Sequence, residues 1–183
     1  IVLADSSVAV ATKDGLVVIN DQSGTFTGTT YTKQNTSNGL ANDDVKSLYQ
    51  DSNGTLWIGT LYGVSEFDGS TWTKYNVSNT TGLASNDIRS FVEDPAGNLY
   101  ICTAFGLTTF TNSGTVTHSY SMNGLAENLL AQALYSTHDS SIYLVSNNHA
   151  AGNNNGLHVL SPTGNYQNFE RENTGMPSNQ PLH

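Results

Sequence analysis

The chain has 183 residues, of which 37% are hydrophobic and only 11% charged, and its formal net charge is −9. With 6 Lys+Arg against 15 Asp+Glu it has little with which to neutralise phosphates, which argues against nucleic acid and anionic membrane surfaces as partners. No apolar run approaches the ~18 residues that span a bilayer, and the single cysteine, Cys102, permits no internal disulfide and reads as a buried inert thiol.

In chain order, Ile1-Val2-Leu3-Ala4-Asp5 carries neither a Met nor the basic flank of a signal peptide, so the sequence is expected to start inside a longer protein. Aligning Asp5-Ser6 with Asp51-Ser52 makes residues 1–4 the tail of a first strand, followed by strands at 7–12, 16–20 and 27–33. A long stretch then begins at Gly39-Leu40-Ala41-Asn42-Asp43-Asp44-Val45 and returns at Gly82-Leu83-Ala84-Ser85-Asn86-Asp87-Ile88, giving a period of 43 residues.

Each copy divides into four short strands. Strand a falls at 45–50, b at 56–60, c at 64–68 and d at 72–76, and the second copy repeats them at 88–93, 99–103, 107–111 and 116–120. Asp51-Ser52-Asn53-Gly54 is a tight-turn sequence between a and b, since Asn-Gly readily supplies positive φ. Its likeness to the start of a calcium loop stops short of the later oxygen ligands. A further copy is predicted at 129–136, 142–146, 157–161 and 166–170, and Gly175-Met176-Pro177-Ser178-Asn179 matches the loop that opens each unit. The blades are therefore placed at 1–38, 39–81, 82–123 and 124–175, with 176–183 starting another.

Strand b shows how the units must pack. Leu56 and Ile58 point to one face and Trp57 to the other, and Leu99, Ile101 and Tyr100 repeat the arrangement. Both faces are apolar, so every small sheet needs a neighbour on each side. A linear solenoid would satisfy that, but four antiparallel strands with an aromatic on b favour radial stacking. The expected class is all-β, a β-propeller of about four four-stranded blades within a larger ring.

The pattern Gly-Leu-(Ala/Pro)-Ser-Asn-Asp-(Val/Ile), then Asp-x-x-Gly-x-Leu-(Trp/Tyr)-Ile-x-Thr, then x-(aromatic)-Gly-(Leu/Val)-x-x-Phe, resembles the two-component regulator propeller repeat. The likeness is close over 39–68 and 82–111, and degenerate in the outer units, where Ala9 and Tyr143 stand at the Trp57 position. It implies a non-catalytic propeller of a periplasmic or extracellular sensor that recognises a glycan fragment for two-component signalling. It also admits a structural or adhesive surface propeller, including secretion-machinery components. A propeller lyase is the remote alternative.

A propeller places function where the d–a and b–c loops converge. The family pattern puts Asn42, Asp43, Asp44, Asn86, Asp87, Arg89, Tyr62 and Phe105 there, and His149 joins them on an expanded b–c segment, Asn147-Asn148-His149-Ala150-Ala151-Gly152-Asn153-Asn154-Asn155. Aromatic faces would stack on sugar rings while Asn and Asp bond hydroxyls, making an oligosaccharide the expected ligand. Two structural readings compete: Asn42 and Asn86 cap the d–a loop backbone in every blade, and Tyr62 and Phe105 pack between blades. Neighbouring blades or further copies of the chain are the other expected partners. No histidine pair has the spacing of a zinc site, and no nucleophile elbow or phosphate-cradling loop occurs, so no metal, cofactor or catalytic residue is expected.

Overall fold

A computed structural model describes residues 1–22, 24–119, 130–146 and 156–169, which form strands and turns with no helix. The first sheet holds β1 (Val8–Thr12), β2 (Gly15–Gln22) and β3 (Thr25–Tyr31). The second holds β4 (Val45–Gln50), β5 (Leu56–Thr60), β6 (Gly63–Phe67) and β7 (Trp72–Tyr75). The third is β8 (Ile88–Glu93), β9 (Leu99–Thr103), β10 (Gly106–Phe110) and β11 (Val116–Ser119). The fourth is β12 (Leu130–Tyr135), β13 (Ile142–Ser146), β14 (Gly156–Leu160) and β15 (Tyr166–Phe169). Every pairing is antiparallel between strands consecutive in sequence.

The expected strands are present with small shifts. In the first unit the last strand ends at Tyr31 and not at Lys33, because Thr36 N bonds Thr32 O and Asn38 N bonds Lys33 O, winding that stretch into a turn. Residues 1–4 give only a bridge between Val2 and Val8, beside the Ala9 N to Ile1 O bond.

Turn chemistry repeats with the sequence. At the a–b turn Asp51 Oδ1 accepts from Asn53 N and Thr55 N while Gly54 takes φ +88°, and Asp94 with Gly97 (φ +80°) does the same one repeat on. At the b–c turn Thr60 Oγ1 donates to Gly63 O and accepts from Tyr62 N. Thr103 with Gly106 and Thr12 with Gly15 copy this. Gly63 has φ +124°, and a Cβ there would lie 2.2 Å from Tyr75 O. Only glycine lets strand c pass that close to strand d.

Pleating splits each sheet into two faces, here called leading (toward the preceding sheet) and trailing (toward the next). Leu56, Ile58, Phe67 and Trp72 lead on the second sheet and pack on Ala9, Leu16, Val18 and Tyr31 of the first. Trp57 and Tyr75 trail, meeting Phe91, Leu99, Ile101 and Phe110 of the third. Tyr100, Cys102 and Leu107 trail in turn against Tyr135, Ile142 and Leu144 of the fourth. Ring geometry tightens the joints. Phe67 and Trp72 stack with centroids 4.5 Å apart, and Phe110 meets Trp57 edge-on at 5.6 Å. The core is thus three successive sheet-on-sheet junctions.

Candidate ligand-binding rim

The d–a loops and the b–c turns lie at one end of the strands, because strand a starts beside the residue that ends strand b: Val45 pairs with Thr60 and Ile88 with Thr103. The two kinds of loop are tied together, Gly63 N bonding Asn86 O and Ala104 N bonding Asp87 O.

Loop carbonyls and carboxylates close this rim. Asn42 Oδ1 accepts from Asp44 N at 2.9 Å, and one repeat later Ser85 Oγ accepts from Asp87 N at 3.1 Å. Asp43 Oδ1 accepts from Lys33 N at 2.6 Å, and Asn86 Oδ1 from Val77 N at 2.9 Å. Asn42 and Asn86 thus both bond d–a loop amides, though not from one repeat position. Asn42 corresponds to Ser85 and Asp43 to Asn86, and both positions cap, each at a different amide. The cause is the 43-residue register, which the alternation of short polar side chains disguises.

Asp44 pairs with Lys46 at 2.8 Å, and Asp87 with Arg89, so a carboxylate and a cation sit two residues apart at the start of strand a in the two central sheets. Asp87 Oδ1 is screened from solvent with no hydrogen-bond partner among the described residues. Beside these pairs the b–c turns raise Tyr62 and Phe105 into solvent, 62% and 57% exposed. They do not pack between blades, which corrects that reading: the turn is closed by Thr and Gly, leaving the aromatic ring nothing to cover. The first sheet has Lys13-Asp14 in the same turn. His149 and its segment 147–155 lie outside the described residues.

Other polar centres belong to the scaffold. Trp57 Nε1 donates to Asp51 Oδ2 at 2.8 Å, Tyr100 OH to Asp94 at 3.1 Å and Tyr143 OH to Asp139 at 2.7 Å. The turn aspartate thus also holds the polar tip of the strand b aromatic. Sequence reasoning took the aspartates for turn residues alone, although the aromatics at 57, 100 and 143 all carry a donor and so signalled the bond. Burial and Asp94 push the Tyr100 phenol up to about 12, and the Tyr143 hydroxyl draws Asp139 down to about 2.

In the fourth sheet His158 is fully buried between Ser146 Oγ, 2.6 Å from Nε2, and Tyr166 OH at Nδ1. Burial pushes the imidazole down to about 4. It replaces Ser65 and Thr108, which face Ile58 and Ile101 in the equivalent register and cap Ala41 N and Ala84 N. The Cys102 thiol is pushed up to about 12 by burial. Among the described residues no group of three or more His, Cys, Asp or Glu side chains could hold a metal ion, and no helix is long and apolar enough to cross a membrane. Clefts between sheets open at the opposite, a–b end, the one between the third and fourth sheets having about 560 Å³ and walls that include Tyr100, Tyr135 and Asp94. The rim of Tyr62 and Phe105 is an open surface.

No curated protein matches the chain. Among solved structures, it is 17% identical to the extracellular domain of a protein described as a hybrid two component system from B. thetaiotaomicron, with TM-score 0.71, over 92% of this chain and 21% of that one. It is 14% identical to PorZ, a surface component of the type-IX secretion system of Porphyromonas gingivalis, with TM-score 0.69, over 97% of this chain and 27% of that one. It is 15% identical to virginiamycin B lyase from Staphylococcus aureus, with TM-score 0.66, over 92% of this chain and 53% of that one. The chain therefore spans about a fifth of the length of the two-component structures it resembles. The family model described as "Two component regulator propeller" matches residues 39–62 and 82–105. Residues 39–62 and 82–105 of the two central sheets are thus similar to two-component regulator propeller repeats, and the chain has the β-propeller fold.

Proposed function

We propose that this segment is a non-catalytic ligand-recognition surface of a periplasmic or extracellular sensor, and that its ligand is a glycan fragment. The observation that carries the reading is the pair Tyr62 and Phe105, exposed one repeat apart at the end of the sheets where the Asp44–Lys46 and Asp87–Arg89 pairs also lie. An aromatic face stacks on the apolar side of a sugar ring, while charged and amide groups beside it bond hydroxyls. Low charge elsewhere suits a neutral polyol, and the family match together with the extracellular sensor domains of the same fold supports the location. Ligand binding would then act by favouring one conformation of the sensor over another.

Calorimetry and an oligosaccharide array, run on the full chain and on a Tyr62→Ala/Phe105→Ala variant, test this. A saccharide bound by the parent and at least tenfold more weakly by the variant is expected. Absence of binding across a broad panel, or binding that ignores both aromatics, removes the glycan reading. A structural or adhesive surface propeller would then stand in its place, for which the fold shared with PorZ is the supporting observation. A lyase-type activity rests on His149, outside the described residues, and on fold likeness to virginiamycin B lyase alone.

A further inference from the structure

At the a–b end of each junction a cleft opens between neighbouring sheets, of about 360 Å³ at the first, 260 Å³ at the second and 560 Å³ at the third. The first two junctions share a contact there. The residue that ends strand a reaches back to the preceding a–b turn, Gln50 to Ala4 N and Glu93 to Ser52 N and Oγ. Turn bonds place Ala4, Ser52 and Pro95 at one position, since each follows a residue whose amide and carbonyl both close the turn: Leu3, Asp51 or Asp94. Register likewise equates Gln50 (opposite Leu56), Glu93 (opposite Leu99) and Tyr135 (opposite Ile142).

Both halves of the contact are therefore replaced at the third junction. Proline has no N–H to donate, and a phenol stands where an amide or a carboxylate accepts in the other two. Pro95 and Tyr135 both line the 560 Å³ cleft. Its walls belong to the third and fourth sheets, which meet inside the chain, and its size falls within the about 300–1,000 Å³ of small-molecule sites.

The lining selects the chemistry of a ligand. It contains no Lys, Arg or His, so an anion finds no counter-charge. Its carboxylate, Asp94, already accepts from Ala96 N and Asn98 N at Oδ1 and from Asn98 Nδ2 and Tyr100 OH at Oδ2, so a cation would have to break that turn. Ser161 Oγ is bonded to Thr163 and Asn165, which leaves a polyol few side chains to bond. The remaining walls are apolar, with the rings of Tyr100, Tyr135, Pro95 and Pro162 beside Ile142 and Leu160, and the Tyr135 hydroxyl bonds none of the described residues.

We propose that this cleft binds an uncharged aromatic compound carrying one hydrogen-bonding group, its ring stacked on tyrosine and proline and that group on the Tyr135 hydroxyl. The site lies at the opposite end of the strands from Tyr62 and Phe105 and takes a different chemistry from the rim.

Saturation-transfer NMR and calorimetry on the full chain test this, with phenol, indole and benzamide as uncharged probes and benzoate as the charged control. The parent is expected to bind at least one uncharged probe at one equivalent, and benzoate at least tenfold more weakly. Pro95→Ser/Tyr135→Glu, which rebuilds the contact of the second junction, should bind that probe at least tenfold more weakly than the parent. Tyr62→Ala/Phe105→Ala should bind it unchanged. Circular dichroism shows whether the rebuilt variant keeps its sheets; Tyr135→Gln, with the residue type of Gln50, should lose the probe too and decides if it does not. A parent that binds none of the uncharged probes up to their solubility overturns the proposal. So does benzoate bound equally well, a folded Tyr135 variant with the parent's affinity, or loss of the probe in the Tyr62/Phe105 variant.

Discussion

The carboxylate of Glu93, last residue of strand β8, accepts from both the backbone amide (2.8 Å) and the hydroxyl (2.7 Å) of Ser52 in the a–b turn of the preceding sheet. Gln50 stands at the same place in β4, and its Oε1 accepts from Ala4 N at 2.7 Å. The inner strand of each of these sheets thus ends by gripping its predecessor. Glu93→Ala should lower stability by about 1 kcal/mol, since the bonds are charge-assisted but solvent-exposed. Glu93→Gln should lose less, as Gln50 shows that an amide can make the contact. Urea unfolding of both variants decides, and equal losses would mean that the charge and not the reach of the side chain matters.

Trp57 lies in the second junction, packed on Phe110 and bonded to Asp51. Trp57→Ala should cost about 3–5 kcal/mol through the cavity it leaves. Trp57→Tyr should cost far less, because Tyr100 fills the equivalent place with its hydroxyl on Asp94. Thermal unfolding distinguishes the two.

His158 makes the fourth sheet sensitive to acid. Its folded value is about 4 against 6.5 for a free imidazole, so the folded state favours the neutral ring. Above pH 6.5 neither state is protonated and the group has no effect on stability. As pH falls from 6.5 to 4 the unfolded chain takes up the proton first and stability declines. Below 4 both states are protonated and the decline from this group stops. The total is at most about 3 kcal/mol. His158→Thr, which restores the residue type of Thr108, should flatten the profile over that window, as followed by fluorescence-detected unfolding at stepped pH.

Cys102 should resist thiol reagents in the native state, given full burial and a thiol held near 12. Labelling should appear only with unfolding, at the same denaturant midpoint as loss of the circular dichroism signal. Labelling before that midpoint would reveal local opening of the junction between the third and fourth sheets.

Removing Tyr62 and Phe105 should leave stability within about 0.5 kcal/mol, because both rings stand in solvent. A larger loss would make them packing residues in the intact protein, which calorimetric unfolding would show independently of any ligand.

Much of the fold was legible because it is written twice. The copies beginning at Gly39 and Gly82 give the period, and the alternation Leu56-Trp57-Ile58 gives the two-sided burial that demands neighbours. The rim was only half legible. Tyr62 and Phe105 announce themselves by position, but whether a side chain at a turn is buried depends on what the next sheet brings up to it, which local pattern does not encode. Asn42 and Asn86 illustrate the other limit. Asn, Asp and Ser exchange freely as acceptors of a backbone amide, so residue identity misled where register would have guided. The Glu93–Ser52 grip joins residues 41 apart with no repeated identity between Glu93 and Gln50, and only the three-dimensional arrangement shows it.

The b–c turn has a consequence for how such a surface can diversify. In three sheets the turn is closed by its first and last residues, Thr12 with Gly15, Thr60 with Gly63 and Thr103 with Gly106. The two residues between them enter that closure through their backbone, and they read Lys13-Asp14, Leu61-Tyr62 and Ala104-Phe105. Each of these three turns therefore offers an interchangeable pair of letters on a fixed mount. A lineage can thus change what these turns show to solvent one blade at a time, by substitutions that the folding of the sheets does not register.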